Sequence, residues 1–446
     1  MRETFIVASN SSSIDLGLRK DRGASAYPDT WYRASAKGIV DRPRLESSLQ
    51  ADVCVIGGGF TGLSAALNLA ELGLDVVLLE AERIGFGASG RNGGLIGSGQ
   101  RKDVLETEQM FGMEQSRLLW DFAEAAKDEI RTRIEKHAID CDLQKGQLVG
   151  VHTKRYAGWA AELSAALAAR YDYPNTHALD AEATRAMVAT DDFVEGFFDA
   201  DAAVIHPLNY ALGLARACTE AGVKIFESSR VTGYTESEPS VVSTAHGAVK
   251  ARSIVLACNG YLGKLEPRVA GKIMPINNFV IATEPLGERA NALIGGRFGI
   301  HDTRFVVNYF RIAEDTRLLF GGGENYRPGF PRNIEGFVKP YMLKLFPQLA
   351  DVAIEYAWGG TLSVTVNRLP HIGRLPPNLY FAQGYSGHGI STASFAGKVI
   401  AEAITGSTAR FDTLARLPIR RFPGGTLLRY PGMVLGMLYY GLKDRL

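Results

Sequence analysis

Cysteine is scarce in this chain, with four residues among 446. Cys54, Cys141, Cys218 and Cys258 are scattered, and no two of them form a CxxC pair. The eight histidines add no metal-ligand spacing, so the sequence excludes a zinc site of the usual pattern and predicts no bound metal. The expected state of the thiols is reduced and mostly buried, in a cytoplasmic protein.

An excess of charge of one sign is also lacking, because 49 basic residues stand against 48 acidic ones, for a net charge of +1. This balance gives no electrostatic basis for binding nucleic acid or an anionic membrane. No signal peptide is visible behind Arg2 and Glu3, and no apolar run is long enough for an integral membrane segment. The short apolar run Met433–Leu442 is interpreted as a docked tail or an oligomer contact, with the oligomeric state left open.

Glycine is abundant instead, with 49 residues, and the first glycine-rich segment is Gly57–Gly62. It follows β-forming residues and precedes a helical apolar pattern that ends at Gly73; a second strand, Val76–Leu79, then leads to Glu80. This order is typical of a dinucleotide-binding unit, in which the glycines allow a tight turn, the approach of a pyrophosphate and close helix packing. The helix N-terminus would meet the phosphates, and Glu80 would bind ribose hydroxyls and repel a 2′-phosphate.

Two further glycine-rich segments extend this pattern. Residues 88–94 form a loop so rich in glycine that its backbone is expected to pass close to a flat or bulky group. Residues 384–389 lie between a predicted strand and a predicted helix, so their amides form a second anion-attracting helix start. One start suits a pyrophosphate, and the other suits the edge of a ring that gains negative charge on reduction. A flavin needs both, whereas a nicotinamide does not.

The remaining pattern predicts a mixed α/β (α+β) fold, in which a Rossmann-like flavin-binding domain is interrupted by an inserted antiparallel-sheet substrate domain. Alternating apolar and polar positions from Met274 to Gly323 indicate the antiparallel sheet. A long helix is predicted over Glu114–His137, and a second one is predicted near Ala393–Ile404. The buried stripe of the long helix is predicted to contain Leu118, Leu119, Phe122, Ala125, Ala126 and Ile130.

Segments of the two predicted domains alternate along the chain. An N-terminal extension over residues 1–49 is expected to lie across the surface of the first domain. The flavin-binding domain is predicted at 50–140, 201–265 and 358–411, the substrate domain at 141–200 and 266–357, and a C-terminal tail at 412–446.

Four segments together indicate a family resemblance. They are Gly57–Glu80, Gly87–Gly94, Leu318–Gly323, and Asn367–Gly373 leading to the turn at 384–389. From about Tyr27 through the tail after Arg416, the chain resembles the FAD-dependent amine and amino-acid oxidases, the DAO family of D-amino acid, glycine and sarcosine oxidases. Within that family it is most similar to the γ-glutamylputrescine oxidoreductase branch.

The resemblance implies an FAD cofactor with its adenosine half on Gly57–Glu80. Val231 resembles the residue whose backbone meets the adenine, and the Gly387–Gly389 amides would face the pyrimidine edge of the flavin. Non-covalent FAD is expected, because the segment Trp358–Thr361 contains glycines where some sarcosine oxidases have a cysteine that is bonded covalently to FAD. The predicted cofactor-binding residues are Gly57, Gly59, Phe60, Thr61, Gly62, Glu80, Ala81, Gly87, Ala88, Ser89, Arg91, Asn92, Gly93, Gly94, Leu95, Val231, Gly360, Gly387, His388, Gly389 and Ile390.

Two departures from these relatives concern the substrate. Leu362 stands where glycine oxidase has a substrate-binding arginine, and Ser391 stands where sarcosine oxidase has a carboxylate-binding lysine. A buried carboxylate needs a paired cation. An ordinary α-amino acid is therefore disfavoured, and an amine with its charge elsewhere is favoured.

The candidate catalytic residues are His388, Tyr309 and Arg311. His388 could act as a base, although its glycine neighbours favour a structural role near the flavin. Tyr309 and Arg311 lie on a predicted strand and could meet the substrate, or they could belong to a solvated face or form a structural pair. Trp358 could line the pocket or belong to the core, and His371 is interpreted as a packed residue.

The expected function is oxidation of the C–N bond of a γ-glutamylated or free polyamine-type amine. A hydride equivalent would pass from the α-carbon to the flavin, the imine would be hydrolysed to an aldehyde, and O2 would accept the electrons. Two alternatives stay open. One is a sarcosine, glycine or D-amino-acid oxidase with an unidentified arginine. The other is a flavoprotein that acts on no amine and serves as a maturation or electron-transfer partner.

Overall fold

The computed structural model describes residues 5–7, 26–324, 329–426, 428, 431, 432 and 434. Its strands are β1 Phe5–Val7, β2 Ser48–Ile56, β3 Val76–Leu79, β4 Leu95–Ile96, β5 Gln144–Val151, β6 Thr176–Leu179, β7 Glu195–Val204, β8 Lys224–Phe226, β9 Val231–Thr235, β10 Ser240–Thr244, β11 Ala248–Leu256, β12 Met274–Thr283, β13 Gly299–Asp302, β14 Tyr309–Ile312, β15 Leu318–Glu324, β16 Ile354–Val364, β17 His371–Leu375 and β18 Leu379–Gln383. Its helices are α1 Trp31–Ala34, α2 Phe60–Glu71, α3 Val104–Phe111, α4 Met113–Lys136, α5 Trp159–Arg170, α6 Ala181–Met187, α7 Pro207–Glu220, α8 Pro267–Ala270, α9 Arg289–Leu293, α10 Ile334–Leu345, α11 Gly389–Ile404 and α12 Ala409–Ala415.

The first sheet is built around the parallel strands of the dinucleotide unit. β2 pairs in parallel with β3 on one side and with β11 on the other, and β3 pairs in parallel with β8. β10, β9 and β1 extend the sheet through antiparallel pairs, and β18, with β17 beside it, pairs in parallel with β11. All four residues of β3 are buried, as its continuous aliphatic run predicts for a strand covered on both faces.

The second sheet has the strand order β16-β12-β15-β14-β13-β5-β7-β4, with β6 paired to β7. The segment from Met274 onward supplies antiparallel strands, which confirms the prediction from its alternating pattern. β13 pairs in parallel with β5, a pairing that joins two distant parts of the chain. The fold is therefore the predicted mixed α/β fold, in which the first sheet combines parallel and antiparallel pairs and the second sheet is largely antiparallel.

The chain passes repeatedly between these sheets. After β2 and β3 it contributes β4–β7 to the second sheet, β8–β11 to the first, β12–β16 to the second, and β17 and β18 to the first. Two predicted domain limits, after residues 200 and 357, fall inside β7 and β16. The chain therefore leaves the second sheet only after Val204 and after Val364.

The N-terminal extension is expected to lie across a surface; around α1 two of its side chains enter the core, whereas most residues from 33 to 44 are exposed. Trp31 and Tyr32 are buried, and Tyr32 packs edge-on against Trp358 with ring centroids 5.4 Å apart. Thr30 accepts a hydrogen bond from the Arg33 amide and so begins α1. The two large aromatic side chains explain the difference, because burying them removes far more apolar surface than a surface path would.

Two helices differ in detail from their predictions. α4 has the predicted length, but Leu118 is 38% exposed, because the helix turns Leu119 and Ile130 towards the core instead. α11 begins at Gly389, well before Ala393. Its polar first turn resembles a loop in sequence, yet Ser394 donates a hydrogen bond back to the Ile390 carbonyl, at 3.0 Å, and fits inside the helix.

All four cysteines belong to the described residues and are free thiols; Cys54, Cys141 and Cys218 are buried. Within the described ranges, no helix is long and apolar enough to cross a membrane. The predicted tail contact Met433–Leu442 lies outside the described residues, except for Val434.

Candidate active site

The glycine turn between β2 and α2 is shaped by close backbone contacts. Gly57 has φ +112°, and a Cβ there would lie 2.7 Å from the Ala257 carbonyl oxygen. A Cβ on Gly62 would collide with the Gly57 carbonyl. Gly59 caps α2 without a side-chain hydrogen bond; the Phe60 amide donates to the Ser89 hydroxyl, and the Thr61 and Gly62 amides have no intrahelical partner. Free amides at a helix start suit a phosphate group, and the pyrophosphate site expected here stays a prediction.

Glu80 lies at the carboxyl end of β3, beside the glycine turn. One carboxylate oxygen accepts a hydrogen bond from the Gly58 amide at 2.6 Å, and the other accepts from the Glu82 amide at 2.8 Å. Desolvation nevertheless raises the pKa of Glu80 to about 7. Ala81 follows directly, and Val231, the first residue of β9, is half-buried. An acid held here has the chemistry that a ribose diol requires.

The Ser89–Gly94 loop is folded by its own polar side chains. The Asn92 amide nitrogen donates to the Ala88 and Ser89 carbonyls, and its oxygen accepts from the Gly94 amide at 2.8 Å. The Ser89 hydroxyl accepts a hydrogen bond from the Phe60 amide at 3.0 Å. The loop is therefore joined to the start of α2, and the Asn92 side chain shapes the loop.

Arg91 and Trp358 fasten the same loop to β16. The Arg91 guanidinium stacks over Phe86 at 4.5 Å and donates to the Gly359 carbonyl at 3.1 Å. The Trp358 indole is buried and donates to the Arg91 carbonyl at 3.0 Å. A Cβ on Gly360 would lie 3.3 Å from the Arg91 side chain. Trp358 is thus a core residue that holds the loop.

The third glycine segment leads directly into α11. Gly387 has φ +87°, is exposed, and has open space where a Cβ would point. His388 occupies the N-cap position without a side-chain cap, so the Gly389 and Ile390 amides have no intrahelical partner. Tyr385 and Thr61 hydroxyls are 2.6 Å apart, which links this turn to α2. The two predicted anion-attracting helix starts are therefore joined.

His388 is packed beside the loop that follows β4. Its Cε1 would lie 3.1 Å from a Cβ on Gly97. Burial, together with the nearby Arg101 and His301, lowers the pKa of His388 to about 4, so the imidazole is neutral at pH 7. Nε2 is buried and has no hydrogen-bond partner among the described residues, which leaves it available to a ligand.

Tyr309 and Arg311 lie on β14 in different surroundings. The Tyr309 hydroxyl donates to Asn278 Oδ1 at 2.5 Å, and the Tyr309 ring packs against the Cα of Gly93 in the Ser89–Gly94 loop. Arg311 is 1% exposed and donates to the carbonyls of Gly93 and Ile205, both at 3.1 Å. The structure thus places Tyr309 at the loop and Arg311 behind it, where its guanidinium is engaged by backbone.

Neutral residues occupy the two positions that the sequence analysis compared with carboxylate-binding side chains. Leu362 is half-buried on β16, and Ser391 is buried in the first turn of α11. His371 is also buried, on β17, and forms a 3.1 Å hydrogen bond with Gln383. Its packed role was predicted.

Several polar residues of the second sheet were missed by sequence reasoning. Asn278 accepts a hydrogen bond from the Tyr309 hydroxyl, and His301 of β13 is paired with Tyr309 of β14. Gln147 lies beside Gly97, where its Oε1 would be 3.0 Å from an added Cβ. The sequence feature that could have indicated them is a polar residue on the buried face of a strand that is otherwise apolar. That signal becomes readable only when the strand register is known.

Comparison with known proteins finds a matching family, similar sequences and similar structures. The family model described as FAD dependent oxidoreductase (DAO) matches residues 52–403. The chain is 43% identical to the γ-glutamylputrescine oxidoreductase of Escherichia coli K12 over 94% of this chain and 99% of that protein. It is 40% identical to the probable oxidoreductase OrdL of Rhizobium meliloti over 93% and 97%. Glycine oxidase from Geobacillus kaustophilus shares the fold, with a TM-score of 0.72, 20% identity, and coverage of 84% and 99%.

Proposed function

Because this chain belongs to the DAO family of FAD-dependent oxidoreductases, we propose that it oxidises the C–N bond of a γ-glutamylputrescine-like or related polyamine-type amine. The product is an imine, which water converts to an aldehyde and ammonia, and O2 accepts the electrons. The observation that supports this most directly is the similarity to γ-glutamylputrescine oxidoreductase across nearly the whole of both chains. The neutral residues Leu362 and Ser391 agree with it, because neither can pair with an α-carboxylate.

The residues that would hold FAD are those gathered at the two joined helix starts. Gly57–Gly62 and Glu80 would bind the adenosine diphosphate half, and the Gly387–Ile390 amides would face the flavin pyrimidine. When bound, the flavin supplies the acceptor for the electrons of the C–N bond. Non-covalent attachment is supported by Gly359 and Gly360 on β16, which offer no thiol for a covalent bond.

The protein contributes position and a dry environment to this reaction. Tyr309 packs against Gly93 and His388 lies beside Gly97, and burial shifts the pKa of each in the direction that keeps it uncharged at neutral pH. A neutral pocket favours the neutral form of a bound amine, whose nitrogen lone pair is needed for oxidation. Little further acid–base machinery is required.

The test is anaerobic mixing of the purified yellow protein with a panel of amines, followed by the flavin absorbance. The panel contains γ-glutamylputrescine, putrescine, sarcosine, glycine and D-alanine. Bleaching by one or both of the first two compounds, with none by the small amino acids, is the expected result. Bleaching by sarcosine, glycine or D-alanine would contradict the assigned substrate class. Readmission of air with O2 consumption then tests the acceptor.

A further inference from the structure

Gln147 is a buried polar residue on β5 whose side chain has no hydrogen-bond partner within the described part of the chain. Only 6% of the residue is exposed, yet its amide forms no hydrogen bond with any described residue. Gln144, on the same strand, donates from its amide to Asp142 at 3.1 Å. Buried amides are nearly always bonded, because an unbonded one loses its hydration without compensation. The unbonded amide of Gln147 therefore points to a group from outside the chain.

The amide end of Gln147 shares a small opening at Gly97 with His388. A Cβ on Gly97 would lie 3.0 Å from Gln147 Oε1 and 3.1 Å from His388 Cε1, so both side chains border the same space. Gly97 is half-buried and is not in the left-handed region, so its backbone does not require glycine. A methyl group there would occupy the opening. Nε2 of His388, bonded to Cε1, is also without a partner among the described residues.

The residue after Gly97 is anchored by a cluster of charges that compensate one another. Lys127 is 1% exposed and donates to the Ser98 hydroxyl at 2.6 Å. Its charge is paired with Glu124 at 2.8 Å and with Asp201 at 3.0 Å. The two side chains that border the opening are, by contrast, an amide and an imidazole that is neutral at pH 7. The polar groups left unbonded beside this anchored backbone are therefore uncharged ones.

The opening lies where the first and second sheets meet in the proposed active site. Gly97 directly follows β4, the two-residue strand that begins after the Ser89–Gly94 loop. His388 is the N-cap of α11, whose first amides would face the flavin. Gln147 comes from the sheet that also contains Tyr309. A ligand in this opening would thus contact the second sheet and the start of α11 at once.

We propose that Gln147, together with His388, binds an amide group of the substrate that is separate from the amine being oxidised. A glutamine side chain presents one acceptor and two donors, so it can pair with both the carbonyl and the N–H of a secondary amide. An amine without such a group leaves these atoms unbonded. The proposal rests on the proposed function and narrows its substrate class to N-acylated diamines, of which γ-glutamylputrescine is one, over free diamines.

The experiment compares Gln147→Met with Gln144→Met in stopped-flow flavin reduction by γ-glutamylputrescine, N-acetylputrescine and putrescine. Methionine has the length of glutamine without its amide, and N-acetylputrescine has the amide without a carboxylate. Gln147→Met should raise the apparent Kd of both amides about 5- to 50-fold with little change in the limiting rate, because one or two hydrogen bonds are lost from ground state and transition state alike. The Kd of putrescine should change by less than about 2-fold. Gln144→Met is the matched control and should change all three by less than about 2-fold.

A stability measurement separates ligand binding from a structural role of the same residue. In the absence of amine, Gln147→Met should have a Tm equal to or above that of wild type, because a buried amide with no partner is removed. A glutamine that supported the fold would instead lower the Tm when replaced. A lowered Tm would therefore overturn the proposal.

Three further results would overturn the assignment of Gln147. They are an unchanged Kd for both amides, an equal loss of affinity with putrescine, and an altered flavin spectrum before any amine is added, because Gln147 would then act on the cofactor. If no amine reduces the wild-type flavin, the proposed function fails, and N-acetylputrescine titration followed by flavin absorbance still tests the amide site. Saturable binding by wild type that Gln147→Met weakens supports the site, and absence of binding by wild type rejects it.

Discussion

His388 illustrates how much its surroundings decide what a residue can do. Burial and the neighbouring Arg101 and His301 all lower its pKa, to about 4. A histidine with a depressed pKa is protonated only below that value, so its charge does not change between pH 6 and pH 10. Any rise in rate across that range must therefore come from another group, and the bound amine is the natural one.

The first prediction concerns this pH dependence. The limiting rate of flavin reduction should rise from about pH 6 to about pH 10 and level off once the bound amine is neutral. His388→Asn should leave the midpoint of this rise unchanged and lower the rate less than about 10-fold, because a neutral hydrogen-bonding group is retained. Stopped-flow reduction at each pH measures both. A rate independent of pH, or a midpoint that disappears with His388, would contradict the prediction.

Single residues also mark the limit of what the sequence could predict. The roles expected for Gly57 and Gly62 depend on local backbone sterics, and those rules can be applied to a sequence directly. Arg311 is different, because its two carbonyl partners come from segments more than a hundred residues away.

At the scale of elements, α2 and α11 cross at unusually close range. A Cβ on Gly397 would lie 2.5 Å from the Thr61 carbonyl oxygen and 2.6 Å from the Ala65 amide nitrogen. The Ser64 hydroxyl donates to the Ser394 carbonyl at 2.5 Å in the same crossing. Both helices begin at glycine turns of the proposed cofactor site. Their packing therefore sets the spacing between the two anion-attracting starts.

The second prediction tests that crossing. Gly397→Ala should lower the free energy of unfolding by about 1–3 kcal/mol, because backbone must move to admit the methyl group, despite the better helix propensity of alanine. It should also weaken FAD binding. Gly295→Ala, at an exposed site with only ordinary contacts, should change stability by less than about 0.5 kcal/mol. Urea unfolding and FAD titration provide the measurements, and equal effects of the two substitutions would contradict this account.

Elements were predicted where periodicity is strong and missed where pairing is distant. The long α4 and the buried β3 followed from local patterns, since each contains its own hydrophobic period. The parallel pairing of β13 with β5 could not be predicted, because it depends on how two separate segments meet. The early start of α11 was hidden by polar residues such as Ser394, whose hydroxyl donates to the Ile390 carbonyl within the helix.

For the whole molecule, the proposed cofactor site is assembled from several distant segments. The β2–α2 turn, the loop before β4, the glycine-containing β16 and the start of α11 all contribute. Three of the four cysteines are buried, and Cys258 follows β11. None of the four lies in the Trp358–Thr361 segment, and non-covalent FAD stays our expectation for this site.

The third prediction is that denaturation releases FAD intact. Acid precipitation should leave the flavin colour in the supernatant and a colourless pellet. Adding FAD back to protein stripped of it should raise the Tm, with about 2.7 kcal/mol gained at a ligand concentration 100 times the Kd. FMN, which lacks the adenosine half, is the matched control and should raise the Tm less. A yellow pellet would show a covalent bond and contradict the prediction.

The repeated passage of the chain between its two sheets also has a consequence during synthesis. β2 and the turn after it leave the ribosome early, whereas β18 and the start of α11 leave near the end of translation. An arrested nascent chain that stops before residue 379 has the first half of the proposed flavin site and lacks the second. We therefore expect the cofactor to bind only after most of the chain has been synthesised. Cells short of riboflavin should then accumulate the full-length protein without its flavin.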